Sequence, residues 1–368
     1  MRLRDPDSFA VEPGRDPALD SLPPTPAVFL VWLEHGPPYL GRAQSLRRRL
    51  SRLLGRRPET SRLLNLSAVA RQVDYWLVAS RLESALVSYE LGRIHYPETF
   101  ERLLRLPRPA YVKLILTNRF PRTQVTSRIS GSRSLFYGPF PARAAAEQFE
   151  SQFLEFFQIR RCQEDLAPSP DHPGCIYGEM RMCLRPCQQA VTEQEYASET
   201  ARVSAFLESG GASLLATTAA ARERLSEELE FEQAAKMHQR YERIQQVLRA
   251  AGDLAREVRR LHGVAVTASI QAEAVELWFM LSGIWRPPVR FSVAPTPGKA
   301  VSLDSRLRQI AAGLEVPRAS AELRQHHLGL LARWYYSSFR DGEWLPFDSI
   351  EALPYRKLVH AIHRVASA

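Results

Sequence analysis

The chain first declares a pattern at residues 26–33, PAVFLVWL, where an unbroken apolar run rich in β-formers predicts a buried strand. PPYLG (37–41) follows at hairpin distance and predicts its partner. Ser45 can then cap a helix, because Leu46, Leu50, Leu53 and Leu54 recur at the spacing that lines one helical face. QVDYWLVAS (72–80) reads as another strand. RLESALVSYELGRIHY (81–96) reads as a helix with Leu82, Ala85, Leu86 and Tyr89 on one face. The order β-β-α-β-α makes a compact α/β unit of roughly 75 residues.

Beyond it, AYVKLILT (110–117) and TQVTSRI (123–129) predict a hairpin, and SLFYGPFP (134–141) a Gly/Pro turn. ARAAAEQFESQFLEFFQI (142–159) has amphipathic helical spacing, and residues 192–252 are helical but for SGGAS (209–213). Strand patterns return over 262–295, TPGKAVS (296–302) reads as a loop, and helices close the chain near 302–313, 318–340 and 355–366. The segments are a disordered lead-in (1–22), an α/β unit (23–105), a connector (106–191), a helical hairpin (192–255) and a C-terminal α+β module (256–368).

Charge changes this picture. Residues 1–130 carry 21 Lys+Arg against 12 Asp+Glu, so they account for the whole net charge of +9. Eight arginines crowd between Arg42 and Arg62. Such a localised cationic surface is the footprint of a protein that binds a phosphate backbone, with Arg42, Arg47, Arg48, Arg52, Arg56 and Arg57 as the candidate DNA contacts. No run of eighteen apolar residues exists, the N-terminus has no signal-peptide core, and a cytoplasmic location with no membrane partner is the expectation.

Four cysteines, Cys162, Cys175, Cys183 and Cys187, fall within one short segment and none occurs elsewhere. In a cytosolic chain such a cluster points to a tetrathiolate metal site rather than to disulfides. The spacing alone does not choose between zinc and an iron–sulfur cluster.

The residues PAVF…YLGRAQSLRRRL resemble the GIY-YIG nuclease core of the UvrC family of bacterial excinucleases. On that register Tyr39 and Gly41 match, Arg42 stands for a lysine and Arg49 falls on the catalytic arginine. The resemblance extends in order through the cysteine segment and through LSEELEFEQAAKMHQRYERIQQVL (225–248), which is similar to the UVR motif at Phe231, Glu232, Ala234 and Ala235. It implies a GIY-YIG-type sandwich, a four-iron, four-sulfur cluster on the four thiolates, DNA as substrate and the excinuclease component UvrB as the partner of the helical hairpin. It also implies phosphodiester hydrolysis with Mg²⁺ or Mn²⁺, an activating tyrosine and a charge-neutralising arginine.

The sequence departs from that pattern at the chemistry. Phe29 replaces a tyrosine, and an ungapped register puts Tyr89 where the metal-binding glutamate belongs. Glu90 lies about 100° further round the helix, and Glu83 and Glu101 are the other carboxylates in reach. A neutral tyrosine is a poor magnesium ligand, so the expectation is a module that binds DNA and is impaired for cutting. Two other readings stay open: an active single-incision endonuclease built on Tyr39 and Arg49 with a displaced carboxylate, and a zinc-stabilised structural adaptor. The family's RNase H-like and helix-hairpin-helix half is not recognisable after residue 260. Phe136, Tyr137 and Phe140 are read as core, and solvated or capping roles are expected for the adjacent His326 and His327 and for Asp341, Glu343 and Asp348.

Overall fold

Three antiparallel sheets, each with its own helices, share a seam of apolar side chains. The structure, a computed structural model, describes residues 3–12, 19–55, 64–131, 133–294 and 302–367.

The first sheet has the order β1-β4-β2-β3, from β1 (Asp7–Ala10), β2 (Ala27–Leu33), β3 (Tyr39–Ala43) and β4 (Ala70–Leu77). Alternation along β2 splits its side chains between two cores. Phe29 and Val31 meet Leu46, Leu50, Leu53 and Leu54 of α1 (Leu46–Leu54), while Val28 and Leu30 meet Val87 and Leu91 of α2 (Arg81–His95). The lead-in is not disordered where it is described. β1 completes the sheet by pairing with β4, and Val11, Leu19 and Leu22 are buried in the α1 core. Its apolar residues are few, but Val11, Leu19 and Leu22 are each taken up by that core.

After α3 (Phe100–Leu103), the second sheet runs β6-β5-β7-β8, from β5 (Ala110–Ile115), β6 (Arg122–Thr126), β7 (Ser134–Phe140) and β8 (Arg256–Glu257). The predicted turn SLFYGPFP is strand β7, buried along its whole length, with Phe136, Tyr137 and Phe140 in the core as expected. Its aromatic content outweighs the Gly-Pro pair, because a strand buried on both faces reads as a continuous apolar run. Helices α4 (Arg143–Phe153) and α5 (Ile176–Glu179) follow. Then come α6 (Glu193–Glu208), α7 (Ala212–Glu227) and α8 (Phe231–Ala251), interrupted at residues 228–230 as well as in SGGAS.

The third sheet is β11-β10-β9-β13 with β12 also on β10, from β9 (His262–Ala268), β10 (Ala274–Leu281), β11 (Ile284–Trp285), β12 (Val289–Ser292) and β13 (Glu343–Phe347). The pattern did not predict β13. Helices α9 (Leu303–Ala312) and α11 (Tyr355–Ala366) pack on one face, and α10 (Ala321–Tyr335) on the other. The far side of α2, with Leu82, Leu86 and Tyr89, meets Leu328, Leu331 and Trp334 of α10, together with Tyr111, Phe136 and Trp278. At roughly 1.5–3 kcal/mol per fully buried large apolar side chain, this seam holds the three sheets as one body.

Candidate nucleic-acid interface and nuclease-like site

Ser45 caps α1 with its hydroxyl accepting from Arg48 N–H at 3.4 Å, which fixes where the helix begins and which arginines face outward. Arg48 and Arg52 are exposed on the far side of the leucine stripe. Arg49 borders the stripe, and its Nη2 donates to the Tyr39 hydroxyl at 3.2 Å, while its Nε is buried with no hydrogen-bond partner among the described residues. The two residues that the register assigned to chemistry therefore touch. Arg47 is half-buried and donates to the Leu22 carbonyl at 2.7 Å, so it serves the fold. Arg42 is exposed on β3, and Arg56 and Arg57 lie outside the described residues.

Gly41 explains the spacing between Tyr39 and Arg42. It lies opposite Phe29, and a Cβ there would stand 2.3 Å from Phe29 Cζ. The Phe29 ring lies across the glycine and reaches the Tyr39 ring, centroids 6.3 Å apart. Phe29 is fully buried, a packing residue without the hydroxyl of the tyrosine it replaces.

The position expected for the metal ligand faces elsewhere. Tyr89 belongs to the seam with α10: its hydroxyl lies 3.2 Å from His326 Nδ1, and its ring contacts Phe100, His326 and His327. Burial raises its pKa, so it stays a neutral phenol. Glu90 is buried and ion-paired to Arg93 at 2.9 Å. Glu83 is buried beneath the α2 N-terminus, accepting from Ala79 N–H at 2.9 Å, with Arg4 3.9 Å away. Burial pushes its pKa up to about 7, and neighbouring Glu276 adds to the shift.

The two histidines are buried rather than solvated. His327 Nδ1 accepts from Trp285 N–H at 2.9 Å, and burial pushes its pKa down to about 3, so it is neutral. His326 Nε2 lies 3.3 Å from Glu101, whose carboxyl is held below its usual range by a hydrogen bond from Arg108 at 3.0 Å. Glu101, Glu322 and His326 bring their ligand atoms within 4.8 Å of one another, a group that sequence spacing could not show because α3 and α10 are remote in the chain. Asp341, Glu343 and Asp348 do not form a shared site. Asp341 accepts from Arg81 N–H and the Trp334 indole, Glu343 pairs with Arg364, and Asp348 with Arg256.

Among the cysteines, Cys183 and Cys187 are buried, Cys162 is half-buried and Cys175 exposed. Burial pushes the Cys183 thiol up to about 11. Arg185 N–H points at Cys183 Sγ at 3.4 Å, and the Arg160 guanidinium stands 3.7 Å from Cys162 Sγ. Among the described residues no three of the sulfurs come within 4.8 Å of one another. A closed zinc tetrahedron with Zn–S near 2.3 Å has sulfur–sulfur edges of roughly 3.8 Å.

In the helical hairpin Ala234 is buried, while Glu232 and Ala235 are exposed. Leu229 and Phe231 are 71% and 64% exposed at the bend between α7 and α8, an unusual outlay of apolar surface at one point. Among the described residues no helix is long and apolar enough to cross a membrane.

The fold and site define a mixed α/β protein with several antiparallel sheets and a Tyr–Arg pair at a basic strand–helix turn. Residues 111–206 match the family described as UvrC/Cho excinuclease, middle domain. "UvrABC system protein C" of Ectopseudomonas mendocina is 27% identical over 212 residues, 57% of this chain and 34% of the relative. The protein of that name from Limosilactobacillus fermentum is 28% identical over 201 residues, 54% of this chain and 32% of the relative. That of Symbiobacterium thermophilum is 25% identical over 247 residues, 67% of this chain and 39% of the relative. The chain is thus similar to UvrC proteins over more than half of its length, and it spans about a third of the length of the relatives it matches. No solved structure matches.

Proposed function

We propose that the chain is a UvrC-like protein of nucleotide excision repair whose first unit is a GIY-YIG-type module that grips DNA and is impaired for cutting it. The observation that carries this reading is the direction of Tyr89. The Tyr39–Arg49 pair stands at the basic turn, while the residue in the expected glutamate register is a phenol committed to His326. Glu90 is paired to Arg93, so neither residue offers a free carboxylate for a divalent cation. What remains useful is cationic: Arg42, Arg48 and Arg52 are exposed around the turn.

The test is incision of nicked or lesion-bearing duplex with Mg²⁺ or Mn²⁺. Binding without incision, weakening by about 0.9 log units per log unit of salt for each phosphate contact, is expected. Incision abolished by Arg49→Ala would establish the active-endonuclease reading instead.

The four thiolates are proposed to hold an iron–sulfur cluster. The support for that reading is the order of the four cysteines after the basic α/β unit, which resembles the UvrC family; their spacing alone leaves zinc as the rival. Anaerobic purification should give a brown protein whose absorption near 400 nm is lost on Cys183→Ser; a colourless zinc protein refutes the cluster. Exposed Phe231 and Leu229 are proposed to dock UvrB, as apolar anchors for a pocket on the partner.

A further inference from the structure

Between the first sheet and α10 lies a cleft of about 500 Å³, to which Arg42, one of the arginines assigned above to DNA, contributes. Its walls come from two modules: Arg42 on β3 and Gln44 just after it, Ser84 on α2, Arg333 on α10 and Phe339 beyond it. Gly329 lets α10 lie close against the segment before β5, since a Cβ there would stand 2.4 Å from the Pro107 carbonyl oxygen. One turn further on, Arg333 donates to the Arg105 carbonyl and lines the cleft.

The charge inside is unbalanced. Arg333 has a lowered pKa, first through burial and then through the charge of Arg42, so two guanidiniums face one space. Arg81 also lines the cleft. Among the described lining residues the one carboxylate is Asp341, which accepts from Arg81 N–H at 2.6 Å and Trp334 Nε1 at 3.0 Å. Phe339 is 67% exposed at the mouth, and the Arg81 guanidinium lies 4.9 Å over its ring. Three guanidiniums against a single carboxylate, beside an exposed aromatic ring, are the elements with which proteins hold a phosphate and stack a base.

We infer that this cleft seats one unpaired nucleotide of a DNA strand, its phosphate between Arg42 and Arg333 and its base against Phe339. The cleft has the volume of a small-molecule site, which admits a single nucleotide and not a duplex. The inference rests on the DNA-binding reading above and extends it: the C-terminal module becomes half of a single-strand site.

The experiment is fluorescence anisotropy with a labelled oligothymidylate and a labelled duplex, titrated over salt. Arg333→Ala and Arg42→Ala should each lower single-strand affinity about fivefold to tenfold and reduce the salt slope by about 0.7. The double variant should lose less than the product of the two, because both arginines hold one phosphate. Phe339→Ala should weaken the single strand about fivefold or more and leave the duplex unchanged. Should Arg333→Ala compromise folding, Arg42→Ala and Ser84→Glu carry the test, the latter placing a carboxylate before the arginines.

If Arg48→Ala weakens both DNAs while Arg333→Ala and Phe339→Ala do not, the cleft is refuted and the general DNA reading stands. If no oligonucleotide binds at any salt, both fall. If adenosine monophosphate binds and is lost in Arg333→Ala while oligonucleotide affinity is unchanged, the site takes free nucleotide and the inference is overturned.

Discussion

Replacing Gly41 by alanine probes the geometry on which the Tyr39–Arg49 pair depends. The backbone there is outside the left-handed region, so the demand for glycine is steric alone. The new methyl would stand 2.3 Å from Phe29 Cζ, with both Cε atoms within 2.8 Å, and Phe29 is fully buried with nowhere to move. Overpacking of this kind costs about 1–3 kcal/mol, and a rigid ring held from both sides puts Gly41→Ala toward the upper end. Phe29→Ala alone should cost about 3–5 kcal/mol through its cavity. In that background the methyl has room, so Gly41→Ala should be close to neutral and the coupling between the sites about 2–3 kcal/mol. Urea titration of the four proteins, followed by tryptophan fluorescence, reads the cycle; Trp32 and Trp76 report from this sheet. A cost below about 0.5 kcal/mol for Gly41→Ala, or simple additivity in the double variant, would refute the reasoning.

Further outcomes are expected elsewhere. Glu83, with a folded pKa near 7 against 4.5 for the free group, favours folding most when protonated. Its contribution is complete below about pH 4.5 and gone above about 7, on the order of 3 kcal/mol across that window, and Glu83→Gln should flatten the pH profile of the unfolding midpoint there. An unchanged slope in that variant would show that another group titrates. Tyr89→Phe should cost about 1 kcal/mol by removing its hydrogen bond to His326 while leaving DNA affinity untouched; a loss of DNA affinity would place Tyr89 in the nucleic-acid site. Phe231→Ala should leave the unfolding midpoint within about 0.5 kcal/mol of wild type and abolish capture of UvrB. Retained capture would remove the hairpin bend from that interface.

Features written within one turn of chain are the legible ones. The leucine stripe after Ser45 sets the face of α1, and that face alone determines that Arg49, not Arg48, reaches Tyr39. SLFYGPFP misleads because local rules weigh Gly-Pro heavily, whereas β7 is fixed by neighbours on both sides, β5 and β8, the second of which lies more than a hundred residues downstream. The same distance hides the partners of Tyr89. Its helical face is apolar and inward as the spacing predicts, but "inward" means the C-terminal module, since His326 is 237 residues away. Arg333 gives no signal at all: one arginine on a helix acquires meaning only when Arg42 stands across a cleft from it.

Because α2 closes two cores at once, its middle turn has no side left for solvent or metal. A glutamate reintroduced at position 89 would enter a wall between sheets, beside neutral His327 and the Phe100 ring. On the proposed reading, installing a carboxylate there is a problem of separating two modules before it is one of supplying a ligand. Conversely, the first unit cut out at residue 105 would carry Leu82, Leu86 and Tyr89 bare on its surface and should precipitate unless that stripe is made polar.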